Sequence, residues 1–288
     1  PKWSQCRQVL LPGIHDHDLA PDNIHIAEMS APSNPPPTMS NGMFALMGAL
    51  FIFFWASGFV AAKYGLPYAE PFTLMTARFV VASAIMVPAC FFLKTAWPGS
   101  STAVHILIAG FGIQVVYLSG VYYGISLGVS TGVTALVVGL QPLLTGVLAG
   151  FVLNEKITRR NWVGLVFGFV GLALIVWDRV ASPTDTLWGL GALIVGLIGI
   201  TAGTLYQKKY CGPFDIRTGV ALQTVLSCIV MIAIAASFET MQIDWTADFV
   251  FAVLWSAIGL SVIASCLYYW LIQRGAAARV TSLIYLSP

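Results

Sequence analysis

The sequence predicts an all-α polytopic membrane protein, in which a bundle of helices crosses the lipid bilayer. Of its 288 residues, 58% are hydrophobic and only 9% are charged, whereas about 25% of residues are charged in an ordinary soluble domain. From residue 43 onward the apolar runs are about as long as the 17–25 residues that a helix needs to cross the hydrocarbon core. The pattern of runs also occurs twice. These observations exclude a soluble domain, and a net charge of +2 gives no reason to expect a nucleic-acid partner.

Residues 1–42 differ in composition from the rest of the chain. They are rich in proline, contain a His-Asp-His-Asp cluster at 15–18 and hold no long apolar run, so they cannot bury a hydrophobic core. We expect a disordered leader. The cluster at 15–18 could ligate a metal, but no second group of ligands completes a site, which favours a solvated leader.

The apolar runs predict eight complete membrane spans and the start of a ninth. The eight lie at 43–63, 72–93, 103–126, 130–152, 161–177, 187–207, 218–238 and 247–272. The ninth run begins near residue 277 and continues to residue 288. At a rise of about 1.5 Å per residue, it reaches roughly half way across the bilayer.

The distribution of Lys and Arg predicts the orientation of the helices. Basic residues follow the second, fourth, sixth and eighth spans, and the opposite loops carry acidic residues instead. The first group comprises Lys94, Lys156, Arg159, Arg160, Lys208, Lys209, Arg217, Arg274 and Arg279, against Lys63 and Arg179 on the other side. Because cytoplasmic loops carry the excess of basic residues, we expect a cytoplasmic N-terminus.

A second copy of the first half of the chain is found at an offset of about 146 residues. The matching pairs are Ser119 and Ser265, Tyr122 and Tyr268, Tyr123 and Tyr269, Leu140 and Leu286, and Pro142 and Pro288. The constant spacing over several spans predicts a first repeat at 43–177 and a second at 187–288.

The number of spans in each copy sets their relative orientation. Because five is odd, the second copy enters the membrane from the opposite side, so the repeats are expected to be inverted. Pro288 aligns with Pro142, which precedes the last part of the first repeat. We therefore expect a ten-span protein from which about 35 residues, the length of 143–177, are missing at the C-terminal end.

Three stretches resemble the EamA-type branch of the drug/metabolite transporter superfamily. They are WASGFVAAKY at 55–64, PFTLMTARF at 71–79, and GVTALVVGLQPLLTGVLAGFVLNEKITRRNWVGLVFGFVGLALI at 132–175. The most specific matches are Pro142, Glu155, Lys156, Gly164 and Gly171. The resemblance covers residues 43–288. It implies ten helices in two inverted five-helix repeats, and export or exchange of small metabolites across the bacterial inner membrane.

Arg78 is the strongest candidate for a substrate contact. It lies several residues inside the second span, where a charged side chain must find a partner, and it could hold an anionic group of a substrate. The alternative is a structural arginine that pairs helices or reaches the interface. Gln223 lies near the equivalent place in the second repeat. Glu70 precedes Pro71, where a carboxylate complements the positive end of a helix; proton coupling is the alternative.

Aromatic, amide and hydroxyl side chains within the spans predict a central substrate cavity. Small-molecule sites combine an aromatic wall with a few polar groups, although Tyr and Trp also occur simply as anchors at the membrane interface. The candidate residues are Trp55, Ser57, Arg78, Gln114, Tyr117, Tyr123, Gln141, Gln223 and Tyr269.

Glycine and proline predict how the helices pack and where one of them breaks. Gly120, Gly124, Gly128 and Gly132 recur every four residues, a spacing that allows close helix approach. Pro142 removes a backbone hydrogen bond inside the fourth span, so a break there could expose carbonyl groups to a cavity.

The leading functional hypothesis is a secondary transporter, a permease or exporter of small metabolites such as amino acids or drug-like compounds. Its substrate would bind between two halves that rock to give alternating access. The alternatives are a non-transporting membrane scaffold and an intramembrane enzyme, and the sequence lacks the HExxH or Ser/His pattern that an enzyme would use. We predict no catalytic residue, metal or cofactor. The expected partners are a small-molecule substrate and the bilayer, and a homodimer is compatible with the sequence.

Overall fold

The computed structural model describes residues 41–152, 162–164, 166–167, 170–171, 174, 184–212 and 214–271. Within these residues, seven helices are long and apolar enough to cross a membrane. They are α1 (Asn41–Gly65), α2 (Pro71–Phe92), α3 (Ser100–Ser126), α4 (Thr131–Val152), α5 (Thr184–Tyr210), α6 (Ile216–Phe238) and α7 (Ala247–Tyr268).

The seven helices confirm the predicted membrane helix bundle. Helices α1 to α4 match the first four predicted spans, and α5 to α7 match the sixth to eighth, with ends that differ by a few residues. Residues 1–40 of the predicted leader, most of the fifth span at 161–177 and the ninth span lie outside the described residues. The described positions within the fifth span are helical.

Large apolar side chains lie on the outer faces and at the ends of the helices. Phe92 is 87% exposed and Phe238 is 82% exposed, a degree of exposure that would be unfavourable in water. Each spanning window has between 28% and 50% of its residues buried within the protein. The remaining surface is apolar enough to face lipid.

The polar residues at two helix starts explain where those helices begin. The Ser130 hydroxyl accepts a hydrogen bond from the Val133 amide at 3.3 Å, and the Thr246 hydroxyl accepts one from the Phe249 amide at 3.2 Å. Each bond satisfies an amide that has no partner within its own helix.

Asp215 caps the start of α6. Its carboxylate accepts a hydrogen bond from the Arg217 amide at 2.9 Å and forms an ion pair with the Arg217 guanidinium at 2.7 Å. The hydrogen bond from the Arg217 side chain lowers the pKa of Asp215 below its ordinary value. Asp215 therefore stabilises the fold at neutral pH, and this contribution is lost as the pH falls through the lowered pKa.

Helices α3 and α7 each contain a π-helical segment, in which the turn is wider by one residue. The segments are Phe111–Val116 in α3 and Trp255–Ala264 in α7. Shifting the first segment by the predicted repeat offset of roughly 146 residues places it inside the second segment. Because π segments are rare and occur frequently at functional sites, both segments indicate a candidate functional region.

Helix α4 is interrupted near its middle. It consists of Thr131–Gly139 and Gln141–Val152, joined through Leu140, whose amide donates to the Val137 carbonyl in a tighter turn. Pro142 has no amide hydrogen to continue the regular pattern. The predicted break is therefore present, two residues before the proline.

Helices α3 and α5 pack backbone against backbone through glycine. A Cβ atom added to Gly120 would collide with the Ala192 carbonyl and with the backbone of Gly196. Gly124 faces the Gly189 carbonyl in the same way. Gly120 and Gly124 thus lie in a close helix contact, whereas the other two glycines of the predicted row do not: nothing lies within 4 Å of a Cβ added to Gly128 or Gly132, and Gly128 has a φ of +90°.

Helices α2 and α6 form an antiparallel pair that is held at both ends. At one end the Glu239 carboxylate accepts hydrogen bonds from the Phe72 amide at 2.8 Å and the Thr73 amide at 2.6 Å. At the other end the Thr218 hydroxyl donates to the Ala96 carbonyl at 3.2 Å. Glu239 therefore caps the positive end of α2 from the far end of α6.

Glu70 has a different role from the one expected. Its side chain makes no cap hydrogen bond to α2. Instead, its carboxylate accepts hydrogen bonds from the amide and the hydroxyl of Thr240, both at 2.7 Å. The Glu70 and Glu239 carboxylates therefore each form hydrogen bonds that link the start of α2 to the end of α6.

Replacement of Gly120 tests the close contact between α3 and α5. Gly120→Ala is expected to lower the free energy of unfolding by about 1–3 kcal/mol, because the added methyl group forces the backbones apart. The measurement is unfolding of the detergent-solubilised protein by sodium dodecyl sulfate. The matched control is Gly191→Ala, since Gly191 lies on α5 with nothing within 4 Å of an added Cβ. Equal effects of the two substitutions would contradict the packing account.

Removal of the Glu239 carboxylate tests the cap on α2. Glu239→Ala is expected to destabilise the protein by about 1–2 kcal/mol, because two amides at the start of α2 lose their partner. The same unfolding assay measures it. Glu70→Ala is the comparison, and it is expected to cost less because Thr240 is exposed and lies outside a helix N-terminus. A larger loss for Glu70→Ala would show that Glu239 is not the main cap.

Candidate functional site

A cavity lies among six helices, α1, α2, α3, α4, α5 and α7. Residues of both π segments and of the break in α4 form part of its wall. Its polar lining residues are Arg78, Gln114, Gln141, Thr204 and Ser265, and its aromatic lining residues are Trp55, Phe59, Tyr117, Tyr122 and Tyr268. An apolar pocket with a few convergent polar groups is the usual form of a small-molecule site.

Arg78 is the one charged residue in the part of the cavity wall that the structure describes. It lies about two turns into α2 and is only 4% exposed. Its Nε atom donates to the Ser261 hydroxyl at 2.9 Å, and its Nη1 atom donates to the Tyr122 hydroxyl at 3.1 Å. These bonds join α2 to α7 and α3. Among the described residues, Arg78 has no carboxylate partner.

An aromatic wall borders the guanidinium. The Trp55 and Tyr117 rings are stacked, with centroids 6.3 Å apart and planes 6° apart. Tyr268 lies beyond Trp55 at 6.4 Å, and Phe51 stacks on Tyr268 at 5.7 Å. Stacking fixes each ring by its neighbours, so this wall is preorganised for an apolar group.

Two amides provide polar groups within the cavity. Gln114 is buried in the π segment of α3, and its side chain makes no hydrogen bond to another described residue. Gln141 is 3% exposed at the break in α4, and its Nε2 atom makes a long hydrogen bond of 3.4 Å to the Thr145 hydroxyl. The Gln114 amide is therefore free to bind whatever fills the cavity.

The structure brings five of the nine predicted site residues into this one cavity. They are Trp55, Arg78, Gln114, Tyr117 and Gln141. Their positions span four helices, so the fold, and not their proximity in sequence, brings them together.

The other four predicted residues lie elsewhere or are not described. Ser57 accepts a hydrogen bond from the Trp255 indole at 2.9 Å and fixes α1 against α7. Tyr123 is 43% exposed. Gln223 is fully buried, and its Nε2 atom donates to the Ile106 carbonyl at 3.3 Å. The side chain of Tyr269 lies outside the described residues.

Several cavity residues were missed by the sequence analysis. Tyr122 and Ser261 bind Arg78, and Tyr268 and Ser265 line the cavity. A signal for three of them was present, because Tyr122 aligns with Tyr268 and Ser119 aligns with Ser265 in the predicted repeat. No feature of the sequence singled out Ser261 from the other serines of α7.

Comparison with known proteins identifies related transporters. The model of the EamA-like transporter family matches residues 42–177. The uncharacterized transporter YvbV of Bacillus subtilis is 25% identical over 255 residues, which cover 85% of this chain and 80% of that protein. The uncharacterized inner membrane transporter YedA of Escherichia coli is 23% identical over 245 residues, covering 84% of this chain and 79% of that protein.

A plant protein and a solved structure are also similar to this chain. A chloroplastic WAT1-related protein of Arabidopsis thaliana is 25% identical over 253 residues, covering 82% of this chain and 59% of that protein. One protein crystal structure has a TM-score of 0.56 with 17% identity, and the match covers 86% of this chain and 96% of that chain. At that identity the structural similarity concerns the fold alone. The family match over residues 42–177 and the transporter relatives support membership of the EamA-like transporter family, within the drug/metabolite transporter superfamily.

Proposed function

We propose that this protein is a secondary transporter that moves a small metabolite across the bacterial inner membrane through the cavity around Arg78. The observation that carries the proposal is the cavity itself, which places a buried guanidinium, a free amide and a stacked aromatic wall among six helices. Such a set of groups can bind a small molecule by its polar end and its apolar end together. Amino acids and drug-like compounds are candidate substrates.

The architecture supports transport by alternating access between two inverted repeats, 43–177 and 187–288. The π segments of α3 and α7 occupy matching positions of the proposed repeats, and α2 packs antiparallel to α6. Inverted repeats commonly place the substrate site at their interface. The cavity contains residues of both proposed repeats, since Trp55 and Arg78 come from the first and Ser265 and Tyr268 from the second.

The contacts at the two ends of the α2–α6 pair are candidate gates. With the N-terminus in the cytoplasm, as the basic loops predict, Glu70 and Glu239 lie on the outer side and the Ala96–Thr218 contact lies on the inner side. Alternating access requires that each side opens while the other stays closed. The Glu239 bonds are partly buried and the Thr218 hydroxyl is buried, so opening either end must give these groups access to water that replaces the lost partner.

Replacement of Gln114 tests whether the cavity contains the transport site. Gln114→Leu keeps the size of the side chain and removes its polar amide, so we expect the transport rate to fall by about tenfold through loss of a substrate hydrogen bond. The assay is uptake into proteoliposomes, first screened with labelled amino acids and small carboxylates to find a transported compound. Ser126→Ala, at the exposed end of the same helix, is the matched control. A Gln114→Leu rate equal to that of the wild type, at equal reconstitution, would contradict the proposal.

A further inference from the structure

We infer that the cavity selects a small organic monoanion, a carboxylate with an apolar remainder, and that Arg78 binds the carboxylate group. This inference rests on the proposed transport function and specifies the substrate class. The observations that carry it are the unused donors of Arg78, the charge balance of the cavity and the chemistry of the opposite wall.

The hydrogen bonds of Arg78 leave donors for a ligand. A guanidinium has five N–H groups, and the described contacts use one on Nε and one on Nη1. The remaining donors lie on the Nη1 and Nη2 atoms and have no partner among the described residues. This edge of the guanidinium is one that a carboxylate can bind through two parallel hydrogen bonds. The two existing bonds, to Ser261 and Tyr122, fix the plane of the group.

The charge of Arg78 has no counterpart in the cavity. Apart from Arg78, the described lining contains no Asp, Glu, Lys or His side chain. Arg78 is also remote from solvent, with 4% of its surface exposed. A buried charge without a partner is strongly unfavourable. A ligand with one negative charge neutralises the site, whereas a zwitterion or a neutral molecule leaves its net charge at +1.

The rest of the cavity fits an apolar group. Trp55, Tyr117 and Tyr268 form the aromatic wall, and Ile113 and Leu260 add aliphatic surface. The described lining contains no carboxylate that could pair with the ammonium group of an amino acid. A ligand whose other end is apolar therefore suits this wall better than a ligand with a second charged group.

Three nearly identical probes test the inference. Isovalerate, isovaleramide and L-valine share the same branched hydrocarbon and carry a carboxylate, a neutral amide, and a carboxylate with an ammonium group. The detergent-solubilised protein is titrated with each in a buffer of low chloride content, and the dissociation constant is obtained from the rise in unfolding temperature. We expect isovalerate to bind at least about tenfold more tightly than either other probe, because only isovalerate both forms the charged hydrogen bonds and neutralises the site.

Arg78→Gln links this preference to the guanidinium. In this variant the dissociation constants of the three probes are expected to agree within about twofold, since the charge that distinguishes them is gone. Arg78→Lys retains the charge and is expected to retain a weakened preference for isovalerate. Tyr123→Phe is the control, because Tyr123 adjoins Tyr122 in α3 but is outside the cavity lining, and it is expected to behave as the wild type.

The other outcomes overturn the inference. Equal binding of the three probes, or no binding of isovalerate, excludes an anion-selective cavity. Tighter binding of L-valine assigns a zwitterion instead and leaves the proposed transport function intact. Sodium chloride provides a further arm: if chloride raises the unfolding temperature as much as isovalerate does, the site is for an inorganic anion. The wild-type comparison decides among these outcomes even if Arg78→Gln does not fold, and the Gln114→Leu uptake assay tests transport separately.

Discussion

The burial of one guanidinium among membrane helices is the constraint around which this structure is organised. A charged group taken out of water loses hydration worth at least several kcal/mol, so its neighbours must supply donors, acceptors and opposite charge. Arg78 obtains part of this from Ser261 on α7 and Tyr122 on α3. Those two bonds tie three helices together at one point. The cavity lies where the remaining donors of Arg78 are left without a partner, which is why the same residue organises the fold and defines the site.

Two helix pairs pack in different ways, one through glycine and the other through apolar side chains with polar contacts at its ends. Helices α3 and α5, one from each proposed repeat, meet through glycine with backbone atoms in direct contact. Helices α2 and α6 pack through Met86, Cys90, Val220 and Ala221. Glu239 and Thr218 add hydrogen bonds at the two ends of this pair. The first arrangement suits a pivot about which the two proposed repeats rock. The second suits a pair of gates.

The sequence predicted the helices more completely than the side chains that face the cavity. An apolar run of sufficient length must be helical in a bilayer, because every backbone polar group needs an internal partner, so seven spans followed from composition alone. The cavity wall depends on helix rotation, and helices that are apolar on every side give little indication of which face is inward. In α3 the π segment Phe111–Val116 changes the rotation of the residues that follow, by about 100° for each inserted residue. Tyr122 binds Arg78, whereas Tyr123, which the sequence predicted to line the cavity, is 43% exposed. The cap of α2 by Glu239 joins residues 166 and 167 positions apart, and no local pattern announces such a contact.

Cross-linking of the two proposed gates tests alternating access about this cavity most directly. One variant carries Thr73→Cys with Glu239→Cys, whose native side chains are hydrogen-bonded at 2.7 Å, and a second carries Ala96→Cys with Thr218→Cys, both in a background without the native cysteines. Each pair is joined by a short bifunctional thiol reagent that a reductant cleaves, and uptake is measured before and after reduction. The account predicts that closing either end alone abolishes uptake and that reduction restores it, while the single-cysteine variants are unaffected. Continued uptake with either end fully cross-linked would contradict it.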